Sequence, residues 1–270
     1  MTAKIPWPAY LSEFIGTALL VLVGLSVVIF DFGAGSPMPA WLPDAGVRRL
    51  ITGFLFGSTG ALIAISHVGK ISGAHINPVV TLAFHLKGKM SLRDTAGFIL
   101  AQFAGATAGA LPLLLWGQMG RSVSFGVTVP GNGCSIWAAL WGETVTTIGL
   151  IAGLFIFLGH KKLRHFTPLL FPFLYALMVY LEVPLSGTST NPARSVGPSV
   201  IAGVWTGWWI YFAGPLAGMF IGLGLHEFTW LNKFRIEVAK IYHSCGVPSK
   251  SFSTHRRCTR CEGLLATQDS

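Results

Sequence analysis

Charge is what this chain is short of. Only 11% of its 270 residues are Asp, Glu, Lys or Arg, and 52% are hydrophobic. So apolar a composition excludes an ordinary water-soluble domain and points to a bilayer. Cysteine is scarce as well: Cys134, Cys245, Cys258 and Cys261 are too few and too one-sided for a disulfide framework. The apolar part also lacks a Ser/His/Asp set, an HExxH string or a cysteine pair, so neither an enzyme nor a cofactor is expected.

What the chain does have is long apolar runs. Six of them, near 10–30, 49–68, 95–116, 136–159, 168–183 and 207–228, are long enough or nearly so to cross about 30 Å of hydrocarbon, roughly 20 residues each as helix. The first follows Lys4 and imitates a signal peptide, but it is too long for one and reads as a retained span. Alternation from a cytoplasmic N-terminus puts Lys4, Lys70, Lys87, Lys89, Arg93, Lys161, Lys162, Arg164 and the seven basic residues after Phe228 inside. That is 15 of the 19 Lys and Arg, leaving Arg48, Arg49, Arg121 and Arg194 outside. The asymmetry predicts an integral protein of the plasma or inner membrane with both termini cytoplasmic. The net charge of +9 then follows from topology and anionic lipid, with no nucleic-acid partner.

Asn-Pro occurs twice, and each copy closes a Ser-Gly-x-x-x-Asn-Pro string, at 72–78 and 186–192. Proline is tolerated in a first helical turn and asparagine caps freed N–H groups, so each string should turn a polar loop into a short helix. The apolar runs that follow, 79–86 and 193–202, reach only about half a bilayer at the usual rise. They read as re-entrant half-helices, with loops 68–76 and 183–190 lining a wet path. Other strings recur too: Ala104-Gly105-x-x-Ala108-Gly109 as Ala213-Gly214-x-x-Ala217-Gly218, and Glu13-x-x-x-Thr17 as Glu143-x-x-x-Thr147. Three spans per half make this an inverted repeat over about 9–116 and 136–228, within a channel unit at 1–230 followed by a basic tail at 231–270. The small-residue pairs read as close helix packing. Glu13 and Glu143, the only charges counted at depth, read as acceptors for exposed loop N–H groups.

These residues resemble the aquaporin, or major intrinsic protein, family, and the likeness runs over roughly 11–228. It rests on Ser12-Glu13-Phe14-x-Gly16-Thr17, Ser72-Gly73-Ala74-His75-x-Asn77-Pro78 and Asn191-Pro192-Ala193-Arg194-Ser195. The resemblance implies an all-α membrane protein of six transmembrane helices plus two half-helices, a pore in each protomer and a homotetramer. It makes Asn77, Pro78, Val79, Asn191, Pro192 and Ala193 the pore motifs, Val79 standing where Ala is usual. His75 would line the cytoplasmic vestibule. The family's spacing puts the outer constriction at Gly57, Val179, Thr188 and Arg194. Water-selective members carry Phe and His at the first two, so a wide, non-aromatic filter of bacterial type is expected here. Phe56, one residue away, is the alternative. Ser195 and a short second loop are of the water-channel type, whereas the open ring suggests glycerol, arsenite, boric or silicic acid as cargo. The expected function is passive passage of water and small uncharged solutes, with protons and ions excluded. An ion-coupled transporter is the rival, disfavoured by so little intramembrane charge.

Beyond Phe228 the likeness stops. Residues 231–242 could form a basic amphipathic helix on the membrane surface. No metal is expected, although His243, Cys245, Cys258 and Cys261 offer zinc-ligand types.

Overall fold

The computed structural model describes residues 5–233, 236 and 239–242. The long helices are α1 (Trp7–Phe32), α3 (Ala45–Ile65), α6 (Leu92–Ala110), α8 (Ile136–Gly159), α9 (Thr167–Ser186) and α11 (Ile210–Phe228). Between them lie three short helices, α2 (Met38–Trp41), α4 (His67–Ser72) and α7 (Gly117–Ser122), and two half-helices, α5 (Pro78–Leu86) and α10 (Pro192–Ala202). No strand occurs among the described residues.

Helix starts follow local chemistry. Asp44, Ser91 and Ser135 accept from Val47 N, Asp94 N and Ala138 N, so α3, α6 and α8 each begin where a short oxygen acceptor meets an orphan N–H. The third span departs from expectation: α6 stops at Ala110, and Leu111–Trp116 continues as a 3-10 turn. Pro112 has no N–H to give and its ring crowds the preceding turn, which ends the regular helix there. Five stretches, Trp7–Phe32, Ala45–Ile65, Leu92–Ser122, Ile136–Gly159 and Arg164–Ser186, are long and apolar enough to cross a membrane. The sixth expected span, α11, is not among these five; it carries His226 and Glu227 in its last turn and packs along α8 as its counterparts pack along theirs.

The two halves pack alike. Helix α1 lies against α6 and α8 against α11, while α3 and α9 pair across the centre. Small residues set each approach. A Cβ on Gly105 or Gly109 would run into the backbone of Phe14 or Ala18 on α1, and one on Gly214 or Gly218 would strike Glu143 or Thr144 on α8. Gly53 and Gly57 on α3 do the same against Tyr175 and Phe171 of α9. Without a hydrophobic drive between helices in lipid, such backbone contact is what holds spans together. Large apolar side chains such as Leu62, Leu100, Phe173 and Phe220 face outward, and exposed Trp7, Trp41, Trp137 and Trp208 lie near helix ends, as an aromatic belt requires.

At the tail the described residues do not form the expected surface helix. Trp230–Lys233 is a 3-10 turn, and 239–242 is non-helical. The candidate zinc residues His243, Cys245, Cys258 and Cys261 lie outside the described residues. Among the described residues no group of three metal-ligating side chains occurs.

Replacing Gly109 by Val tests the packing. Overfilling a close-packed contact costs about 1–3 kcal/mol, so the variant should unfold at lower temperature in detergent, whereas an unchanged midpoint would contradict the contact described.

Candidate functional site

Each Ser-Gly-x-x-x-Asn-Pro string ends one helix and starts another. Gly73 (φ 100°) closes α4 and Gly187 (φ 85°) closes α9, both left-handed, which glycine adopts without a Cβ penalty. Between glycine and asparagine the two loops repeat the same unusual backbone: Ala74 (φ 56°) and Ile76 (φ 43°) in one, Thr188 (φ 53°) and Thr190 (φ 53°) in the other. Left-handed residues other than glycine are strained and persist only where their surroundings hold them.

Two buried carboxylates do the holding. Glu13 accepts from His75 N (3.0 Å), Ile76 N (2.7 Å) and Gln102 Nε2 (2.8 Å). Glu143 accepts from Ser189 N (2.7 Å), Thr190 N (2.8 Å) and Ser186 Oγ (2.6 Å). Every one of these loop N–H groups would otherwise be buried without a partner.

The asparagines join the loops to each other. Asn77 Oδ1 accepts from Val79 N at 2.9 Å, capping α5, while its Nδ2 donates to Thr190 O at 2.9 Å. Asn191 Oδ1 accepts from Ala193 N (3.0 Å) and Arg194 N (3.3 Å), capping α10, while its Nδ2 donates to Ile76 O at 2.8 Å. The exchange is reciprocal: each loop's capping residue bonds the carbonyl just before the other's. A carboxamide has two N–H donors, so each asparagine keeps one beyond its cross-bond, and both residues line the same cavity. Pro78, Pro192 and Ala193 sit in the first turns behind them, buried. Val79 is fully buried behind the half-helix, where its methyl groups are absorbed.

Two cavities flank this centre. One lies beside the last turns of α1 and is lined by Val179, Thr188, Arg194 and Gly126. The other borders Ile241 and is lined by His75, Asn77 and Asn191. Phe56 and Tyr175 border both, and so mark the narrow place between them. Their rings lie 5.7 Å apart, and the Arg194 guanidinium stands 5.9 Å from the Phe56 centroid. Arg194 Nη1 donates to Gly126 O at 2.7 Å, which fixes the cation against the cavity wall.

Of the four residues expected at the constriction, Gly57 stands apart from the other three. Gly57 does border the inner cavity, but the space its missing Cβ leaves is filled by the Phe171 backbone of α9. One residue earlier is a turn of about 100° on a helix, and that places the Phe56 ring beside Arg194. An aromatic ring therefore stands beside Arg194, where the spacing suggests a gap. Val179, Thr188 and Arg194 do share the outer cavity.

Sequence reasoning also undercounted charge at depth. Glu182, 4% exposed, accepts from Thr188 Oγ1, and Asp31, 2% exposed, accepts from Thr52 Oγ1. Both stand near span ends, where a carboxylate looks like an interfacial group. Only the folded partners, hydroxyls of the cavity-lining Thr188 and Thr52, show otherwise. His75 stacks on Phe84 at 4.6 Å, with Nδ1 3.3 Å from Thr81 Oγ1 and Nε2 3.2 Å from Ala239 O.

Known proteins resemble this chain in sequence and in fold. A family profile described as "Major intrinsic protein" matches residues 1–226. Lens fiber major intrinsic protein of Gallus gallus is 33% identical over 238 residues, covering 85% of this chain and 84% of that protein. Aquaporin-4 of Mus musculus is 31% identical over 226 residues, covering 83% and 68% respectively. In three dimensions the chain resembles the aquaglyceroporin from Plasmodium falciparum with a TM-score of 0.67 at 18% identity, over 82% of this chain and 96% of that one.

Glu13→Ala and Glu143→Ala should each lower the amount of folded protein in the membrane, since an orphaned buried N–H costs about 1–3 kcal/mol and each carboxylate serves two of them. Quantitative blots of solubilised, monodisperse protein would read this out. Normal abundance in both variants would contradict the support role.

Proposed function

The chain belongs to the major intrinsic protein family, and from that membership we propose that it is a passive pore for water and small uncharged solutes that turns back protons and ions. The observation that carries the reading is the reciprocal Asn77–Thr190 and Asn191–Ile76 exchange. It brings the N-termini of α5 and α10 together at one point. Each helix start presents about half a positive charge, and each asparagine offers a donor there. A water or hydroxyl passing between them turns its oxygen toward the donors, so its own hydrogens point outward both ways. A hydrogen-bonded proton wire is broken, and a cation is repelled.

Selection among neutral molecules falls to the ring of Phe56, Tyr175, Val179, Thr188 and Arg194. Arg194 adds a fixed positive charge that cations must pass. Phe56 and Tyr175 narrow the passage and favour water over branched or polyhydroxylated solutes, while Val179 keeps one wall apolar. Glycerol and metalloid acids become secondary cargo on this reading. Among the described residues the buried carboxylates serve as acceptors, Glu13 and Glu143 from loop N–H groups, Glu182 from Thr188 and Asp31 from Thr52, which argues against coupling of flux to an ion.

The cavity bordered by His75 faces the cytoplasm, together with both chain termini, on the strength of the basic-residue asymmetry in the sequence. The protein resides in the plasma or inner membrane. Association into a homotetramer follows from family likeness and is read by mass measurement in detergent.

Stopped-flow swelling of proteoliposomes tests the reading. Water flux should be linear in the osmotic gradient, and glycerol flux slow. Phe56→Ala should raise glycerol and urea flux several-fold while water flux persists. Saturable, gradient-coupled flux would contradict the pore, and unchanged solute flux in folded Phe56→Ala would contradict the position of the constriction.

A further inference from the structure

The inner cavity has one wall that belongs to no membrane helix and no re-entrant loop. Ile241, from the segment after α11, borders the same space as His75, Asn77 and Asn191. It is 4% exposed, and Ile236 and Ala239 beside it are also buried. The segment is seated by specific bonds to the first re-entrant loop. Ile241 N donates to Gly73 O at 3.0 Å, and Ala239 O lies 3.2 Å from His75 Nε2. Lys240 Nζ donates to Lys70 O at 3.1 Å, and the Lys70 ammonium stands 5.9 Å from the Tyr242 ring centroid.

The seat is shaped for a peptide backbone. A Cβ on Gly73 would come within 2.6 Å of Ala239 O and 3.1 Å of Lys240 Cα, so the loop approaches the segment as closely as a glycine permits. Gly73 thus serves two ends at once: its left-handed backbone closes α4, and its bare Cα admits the backbone at Ala239 and Lys240. His75, whose ring would otherwise face the mouth, is 1% exposed, with a ring nitrogen engaged by the segment's carbonyl.

We propose that the mouth of the pore on the side of the chain termini is a docking site for the chain's own segment 239–242, and that Ile241 seated there closes the conduction path. This inference rests on the pore reading above. It adds a closed state that the helices and half-helices do not themselves create. The chemistry of the seat, carbonyl acceptors on Gly73 and Lys70, one imidazole and an apolar socket for a branched side chain, suits a short backbone segment carrying Lys240 and Ile241. An open form exchanges those hydrogen bonds for bonds to water, a small net change for each, and exposes Ile241, whose burial favours the closed form.

The test uses the full chain and two variants in proteoliposomes, with water permeability expressed per folded channel. Ile241→Asp puts a carboxylate into the apolar socket and should expel the segment, raising unit water permeability several-fold. A chain ending at Lys233 should show the same rise, and it carries the test if the point variant fails to fold. A synthetic peptide of residues 236–242, loaded on the side of the termini, should return the shortened channel toward the wild-type rate. Wild-type permeability in the folded shortened channel would overturn the docking proposal while leaving the pore intact. Absence of water flux from every form, the shortened channel included, would overturn the pore reading and this proposal with it.

Discussion

Two carboxamides hold the centre of this molecule. Asn77 and Asn191 each cap a half-helix with the side-chain oxygen and reach across to the opposite loop with the nitrogen. Neither loop could be placed alone. A half-helix that begins in the middle of a bilayer leaves N–H groups and a dipole end where no water can meet them. Pairing two such ends gives each a partner that arrives by duplication. The same exchange fixes their separation and aims the remaining N–H of each asparagine at one cavity.

The rest of the architecture sustains that pairing. Glu13 and Glu143 saturate the loop N–H groups and hold Ala74, Ile76, Thr188 and Thr190 in backbone conformations they would not choose. The glycines of α6 and α11 let the spans close around the carboxylates, and Gly53 and Gly57 draw α3 onto α9. Arg194 follows directly from the Asn191 cap, because its own N–H is one of the two that the cap accepts. A single hydrogen-bonded corner therefore delivers both the central donors and the cation of the constriction.

Much of this was legible in the residues. The Asn-Pro strings located both half-helices to within a residue, since Asn at a cap followed by Pro in the first turn has few other uses beside an apolar run. The small-residue strings read as close helix packing, which the glycines of α6 and α11 bear out; that their partners are α1 and α8 shows only in the fold. What failed was whatever depends on rotation or on distant partners. Counting along the chain selects Gly57, but the packing of α3 on α9 turns Gly57 against Phe171 and sets the Phe56 ring beside Arg194. Glu182 and Asp31 sit where sequence shows span ends, and their hydroxyl partners, Thr188 six residues on and Thr52 on the next span, are brought to them only by the fold. Residues 239–242 read as a basic surface helix because their seat, Gly73 and His75, lies more than 160 positions earlier.

Proton flux in sealed proteoliposomes tests the central claim most directly. With a potassium diffusion potential imposed and an internal pH dye as readout, the account predicts water flux far above protein-free vesicles and proton flux no greater than theirs. A proton current that rises with the amount of reconstituted protein would contradict the paired-dipole centre.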